Sequence, residues 1–442
     1  MSPANGLDPT CGVAKSIAPQ PRTVEDTYLK ESFLADLVSK HLQRGGVLTM
    51  KELSRRIALP GAILEEILMF LRKEGKIEVR AGSDNSAELR YALTDRGRNG
   101  ALDALLRSGY IGPAPVPLER YCQVATQQSV HDRNVTQQAM ETAYADLMTQ
   151  PGLLETLGPS LNSGRAIFVY GPAGTGKTFL TKRLARLFQD PVLIPYSIIV
   201  HDTVVQIHDP LVHGAIEDKS NQDSLLFDSA HDARYVRCHR PIVVSGGELT
   251  VDMLEVHYDP STRLYQAPLQ LKANNGIFIL DDLGRQKVNP EQILNRWIVP
   301  MEEKQDYLTV GAGQHFTVPF DVVLVFSTNL NPLHLADEAF LRRIGYKIQF
   351  DYLGPKEYEF IWRSTCKAAG VPFDYEVFRF LVEHLHQANE TPLLPCHPRD
   401  LLQIVMDHSH YEGVEPRLTA AGMQKAWWSY FVPLEVKAQG LG

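Results

Sequence analysis

Gly171, Gly174, Gly176, Lys177 and Thr178 stand within eight residues, GPAGTGKT, directly after the apolar run AIFVY (166–170). Glycines at that spacing let the backbone curl until successive N–H groups point inward at an anion, with no Cβ in the way. The segment that follows, FLTKRLARLF, places Leu180, Leu184 and Leu187 on one helical face and adds the partial positive charge of a helix N-terminus. An ammonium and a hydroxyl closing such a loop suit the β- and γ-oxygens of a phosphate chain and a magnesium ion. Gly171, Pro172, Ala173, Gly174, Thr175, Gly176, Lys177 and Thr178 are therefore assigned to nucleotide binding, with Thr178 also a magnesium ligand.

Two further strand-like runs end in chemistry. GIFILDDLGR (276–285) is an apolar stretch closing on Asp281 and Asp282. Carboxylates at the end of a buried strand must be desolvated at a cost of several kcal/mol each unless a cation compensates. Magnesium is the cation that fits, so Asp281 is assigned to its shell and Asp282 to positioning or activating an attacking water. FDVVLVF (320–326) ends in Ser327, Thr328 and Asn329, and the Asn329 amide is assigned to orienting that water. The elements these residues demand are parallel strands whose C-terminal ends converge, with helices between them, an α/β fold.

Composition permits this. The chain has 442 residues, 44% hydrophobic and 22% charged, with 44 Lys plus Arg against 52 Asp plus Glu. That length suits two or three domains, and a net charge of −8 provides no chain-wide field for phosphate backbones or anionic membranes. Apolar runs have strand length, so a membrane span is not expected. Residues 1–24 carry Pro3, Pro9, Pro19 and Pro21 without an apolar core and read as a disordered tail, which places the chain in the cytoplasm. Five scattered cysteines form no C-x-x-C pair, which argues against zinc.

Residues 25–108 form a separate pattern. Leu29, Phe33, Leu37 and Val38 share a helical face; Thr49 and Glu52 have capping-box spacing before MKELSRRIAL; Pro60-Gly61 opens another helix. The runs KIEVR and ELRYAL then flank the polar turn AGSDNSA. Three helices and a hairpin resemble a winged helix. Its 14 Lys/Arg against 13 Asp/Glu is a poor balance for phosphate binding, so protein contact is the leading role and nucleic acid the lesser one. The proline-rich stretch 109–120 reads as a stiff linker, 121–352 as the α/β core and 353–442 as a helical lid, in which Trp427 and Trp428 are assigned to the core.

With the glycine loop, the acidic strand end and the Ser-Thr-Asn strand end in this order, the chain over about 150–400 resembles an AAA+ ATPase. The DPST turn (259–262) between MLEVHY and RLYQAP resembles the helix-2 insert of the MoxR-like group, and 295–332 is similar to that group's helix, pre-sensor hairpin and sensor strand. The layout is also similar to bacterial ATPases with chaperone activity associated with Flp pilus assembly. The resemblance implies a P-loop NTPase core with a helical lid behind a winged helix. It also implies ATP and Mg²⁺ as ligands, hydrolysis, a homo-oligomeric ring with a hexamer as its expected form, and a protein substrate. Arg343, with Arg342 beside it, matches the arginine finger that reaches a neighbouring subunit's γ-phosphate, and Arg399 in HPRDLLQIV matches the lid's sensor arginine. The second acidic residue is Asp282 where many members carry Glu, shorter by one C–C bond of about 1.5 Å; Asp-Asp-Leu-Gly also resembles the helicase-loader branch. Residues 196–247 look like extra hairpin material without an assigned role.

Overall fold

The computed structural model describes residues 17–80, 89–147, 149, 152–216, 231–311 and 313–431. The N-terminal part runs α1 (Glu31–Gly45), β1 (Leu48–Thr49), α2 (Met50–Ile57), α3 (Gly61–Lys73), β2 (Ile77–Arg80), β3 (Arg90–Leu93) and α4 (Asp95–Arg107), with a small sheet in the order β1-β3-β2. The capping box is formed: Glu52 N donates to Thr49 Oγ1 at 3.2 Å and Thr49 N to Glu52 Oε2 at 2.8 Å. Ala58 ends α2 with φ 58. The turn AGSDNSA lies outside the described residues.

Two expectations about this region are corrected. The tail reaches structure before residue 24: Ala18 is buried with Val116, Val124 and Tyr235, and its carbonyl accepts from Asp232 N at 2.8 Å. The proline-rich stretch is not a free linker either, because Tyr110 and Ala114 join the core of the N-terminal part and Val116–Pro117 forms β4. Prolines there fit an edge strand, where a missing N–H costs no ladder bond.

Next come α5 (Leu118–Gln127), α6 (Gln137–Tyr144), α7 (Leu153–Asn162), β5 (Ile167–Tyr170) and α8 (Lys177–Lys182). On α6 the buried stripe is Met140, Ala143 and Tyr144, whereas Ala139 is exposed. Residues 191–245 supply β6 (Pro191–Pro195), β7 (Ser197–Val200), β8 (Thr203–Gln206), β9 (Tyr235–His239) and β10 (Ile242–Ser245); then follow β11 (His257–Asp259), β12 (Leu264–Gln266), α9 (Leu269–Lys272) and β13 (Gly276–Leu280). The chain continues through α10 (Pro290–Arg296), α11 (Ile298–Glu303), the hairpin β14 (Gln305–Val310) and β15 (Gln314–Pro319), β16 (Val322–Thr328), α12 (Glu338–Arg343) and β17 (Tyr346–Gln349). A helical lid closes it: α13 (Pro355–Ala369), α14 (Tyr375–Phe380), α15 (His397–Glu412) and α16 (Ala420–Tyr430). In the lid Trp427 is 1% exposed but Trp428 is 49% exposed, so only the first belongs to the core.

The core sheet has the order β10-β13-β16-β5-β17, every pair parallel. Counted along the chain this is 2-3-4-1-5. Strands buried on both faces explain the unbroken apolar runs. Phe168, Phe278, Leu324 and Phe326 pack with Trp297 on one face; Ile167, Val169, Ile279 and Val325 pack with Leu157 and Leu184 on the other. β10 corrects the reading of 234–244 as spare hairpin, because it is a core strand and its neighbour β9 pairs with β6 instead.

A second sheet, β11-β12-β8-β7-β4, takes up most of the remaining insertion. The N-terminal part sits on it: Val204 is buried in that part's core, Ile199 and Leu264 pack against it, and Gly109 N donates to Arg263 O at 3.2 Å. The DPST hairpin is therefore held beneath the N-terminal part rather than projecting freely. No described helix is long and apolar enough to cross a membrane.

Candidate nucleotide site

The three motif-bearing strands β5, β13 and β16 lie side by side except that β16 separates the other two, so their C-terminal ends deliver the loop 171–176, Asp281-Asp282 and Asn329 to one crevice. Open parallel sheets place ligand crevices at these ends. The glycine loop is built for close backbone approach. Gly171 has φ 143, and a Cβ there would lie 2.0 Å from Phe350 O; Gly174 and Gly176 have φ 80 and 85.

Lys177 Nζ donates to Gly171 O and Pro172 O, each at 2.8 Å, and to Asn329 Oδ1 at 2.7 Å. The Asn329 amide then donates to Asp282 Oδ1 at 3.0 Å, so Asn329 bridges the ammonium and the second carboxylate. Burial pushes the Lys177 ammonium below the ordinary lysine range, opposed by the carboxylates of Asp281 and Asp282. The Thr178 hydroxyl donates to Asp281 Oδ2 at 2.6 Å. Five of the residues assigned from the sequence, from three elements, are thus joined in two hydrogen-bonded sets, Lys177–Asn329–Asp282 and Thr178–Asp281.

That meeting also tests the fit to magnesium. Among the described residues no cluster of three or more His, Cys, Asp or Glu side chains could hold a metal alone. One hydroxyl beside one carboxylate is instead the partial shell that magnesium takes when substrate phosphates and waters complete it.

Asp282 has φ 50, a left-handed conformation that Asp tolerates better than most side chains. This gives a local reason for the shorter acid at that place. Around it lies a brace that the motifs did not reveal. Gln286 Nε2 donates to Gly246 O at 3.1 Å and to Asp282 O at 3.2 Å, and Gln286 Oε1 accepts from Gly284 N at 2.8 Å. A single glutamine past an acidic pair carries no periodicity, so nothing in the chain order marked it.

Lys177, Thr178, Asp281, Asp282 and Asn329 line a cavity of about 640 Å³ that also includes Leu147, Leu153, Phe350 and Leu353 as an apolar wall, and Arg285 and Arg399. The lid covers part of the loop: a Cβ on Gly174 would come within 2.9 Å of Cys396 Sγ. Arg399 reaches the cavity from the first turn of α15, with Nη2 3.0 Å from Asp400 Oδ1.

Arg342 and Arg343 are placed elsewhere. They close α12 just before β17, whose Tyr346 is level with Ile167, so they sit at the opposite end of the parallel strands, about 15 Å of strand away from the loop. There they line a separate cavity of about 710 Å³ with Arg165 and Lys304. Arg343 Nε donates to Glu302 Oε1 at 2.5 Å, and Arg342 pairs with Glu338 at 2.8 Å.

Residues 354–429, the lid, match the model of a domain of unknown function, DUF8689. No curated protein matches the chain. Among solved structures, RuvB of Thermotoga maritima, the Holliday junction branch migration motor, aligns at 12% identity over 66% of this chain and 68% of its own, with a TM-score of 0.35. NtrX from Brucella abortus in complex with ADP aligns at 15% identity over 73% of this chain, with a TM-score of 0.38; the match spans 64% of NtrX, just under two thirds. The fold itself rests on internal evidence: five parallel strands ordered 2-3-4-1-5, a glycine loop after the first, acids after the third and an amide after the fourth define a P-loop α/β core with a helical lid.

Proposed function

We propose that this chain is an AAA+ ATPase that binds and hydrolyses ATP in a homo-oligomeric ring, with hexamer as the working stoichiometry, and uses the cycle to remodel a protein partner. The observation that carries the reading is the linked set Thr178–Asp281 and Lys177–Asn329–Asp282 at converging strand ends. The backbone amides of residues 171–176 and the Lys177 ammonium meet the phosphate oxygens. Thr178 and Asp281 would hold magnesium, whose chemistry here is to neutralise charge on those oxygens. Asp282 accepts a proton from the attacking water, and Asn329 keeps that carboxylate aimed. The apolar wall at Leu147, Leu153 and Leu353 suits a purine base, and Arg399 brings the lid's charge to the same cavity.

The position of Arg343 across the sheet from its own loop supports service to a neighbour. Placing its charge on another subunit's γ-phosphate is worth ~10³–10⁵ in rate. Helix α3 exposes Glu65 and Glu66 at its centre, which supports protein over nucleic acid as the partner of a winged helix at 25–108. Calorimetry on the full chain with magnesium and ATP tests the reading at its root, and an absence of binding heat ends it. Arg343→Ala should then leave nucleotide affinity nearly intact while phosphate release collapses. Unchanged release would remove the ring mechanism but not the binding site.

A further inference from the structure

Three cations line the nucleotide cavity: Lys177, Arg399 and Arg285. Lys177 is engaged by three oxygens and Arg399 by Asp400. The Arg285 guanidinium has no hydrogen-bond or ion-pair partner among the described residues. An exposed arginine with no partner is ordinary on a loose loop; the segment carrying this one is fixed at several points.

Leu283 N donates to Ser327 O at 2.8 Å and the Thr328 hydroxyl to Leu283 O at 2.6 Å, which ties the segment to the end of β16. Arg285 N donates to Asp282 O at 3.0 Å, closing a turn through Asp282 and Gly284, with φ 50 and 102. A Cβ on Gly284 would lie 2.7 Å from Leu335 Cδ2, so the turn is confined from outside as well. Gln286 then braces it from the β10 side through Gly246 O. A backbone held from two neighbouring strand ends delivers its side chain with little freedom left to lose on binding.

We propose that Arg285 contacts the terminal phosphate of the nucleotide bound in its own subunit, and so distinguishes triphosphate from diphosphate. The inference rests on the ATP reading above. The assignment to the terminal phosphate follows from place: Arg285 stands one turn beyond Asp282, which with Asn329 forms the end of the site that the Lys177 ammonium also reaches, whereas the backbone of the glycine loop lines the rest. A guanidinium presents paired donors that match two phosphate oxygens, and an acceptor-only ligand is what an unengaged arginine beside two committed carboxylates lacks.

The test compares affinities of the full chain for ADP and for a non-hydrolysable ATP analogue, both with magnesium, by calorimetry. Arg285→Ala should weaken the triphosphate analogue about tenfold, the scale of one charge-assisted hydrogen bond, and leave ADP within about twofold. Arg285→Lys should fall between, retaining charge but not the fork. Equal weakening of both ligands overturns the proposal in favour of a general electrostatic effect, and no change overturns it outright. If the unaltered chain binds neither ligand, the ATP reading itself fails, an outcome distinct from a selective failure at Arg285.

Discussion

At Asp282 one residue answers two demands. Its backbone occupies a left-handed turn and its carboxylate accepts the Asn329 amide at 3.0 Å. Asn tolerates the same turn and offers the same acceptor oxygen, so Asp282→Asn removes charge and little else. Turnover should fall about 10²-fold or more, the typical contribution of a positioned general base, while ATP affinity holds. Phosphate release beside calorimetric binding checks this, and a parallel loss of binding would mean that Asp282 serves the ligand rather than the water. Most of these candidate site residues were legible in the sequence because a glycine loop and an acid pair at the end of an apolar strand are local patterns. Arg285 and Gln286 were not legible, since their importance arises from where Gly246, Ser327 and Asp282 stand in space.

Among the elements, the lid carries a built-in acid sensitivity. His386 and His397 are buried against each other, ring centroids 5.4 Å apart, and burial pushes each down to about 4. The His386 Nε2 meets the Tyr358 hydroxyl at 2.9 Å and its Nδ1 lies 3.0 Å from Thr391 O, so a neutral ring is wedged between a hydroxyl and a carbonyl. An unfolded histidine takes up its proton near 6.5, which the folded lid refuses; the lid's stability is therefore complete above that pH and falls as pH drops toward 4, then levels off. Trp427 lies 4.8 Å from the His386 ring, so its fluorescence reports the change. Denaturant titrations between about pH 7 and pH 4 should show that decline, and His397→Gln should remove roughly half of it, leaving the part due to His386. A variant with the full slope would place the sensitivity elsewhere. Amphipathic spacing marked these lid helices, but it said nothing of the two histidines buried together between them.

On the scale of the molecule, the N-terminal part, the second sheet and the α/β core form one connected body. Arg234, 2% exposed, ties the N-terminal part to the segment that leads into β9: its Nη2 pairs with Asp232 at 2.8 Å and its Nη1 donates to Thr27 O at 3.1 Å. Removing one partner of a buried ion pair strands the other charge at a cost of about 3–5 kcal/mol. Arg234→Ala should therefore loosen the N-terminal part first, seen as new protease cleavage around residues 109–117. Cleavage unchanged from the parent chain would mean that the apolar contacts of Val204 and Ile199 suffice. The docking matters for mechanism because only a short stretch of chain joins the hairpin under the N-terminal part to β13, whose end is followed directly by Asp281.

The sequence by itself determined the glycine loop, the acid pair, the Ser-Thr-Asn strand end and the three core strands that carry them, because each depends on neighbours within a few residues and on apolar runs that burial on both faces requires. The tertiary structure decided what lies under the N-terminal part, that residues 242–245 are a core strand, that the proline-rich stretch pairs into a sheet, and that Trp428 faces solvent. Those outcomes depend on which distant segments exclude water together, such as Ala18 with Tyr235, and no local spacing encodes that choice.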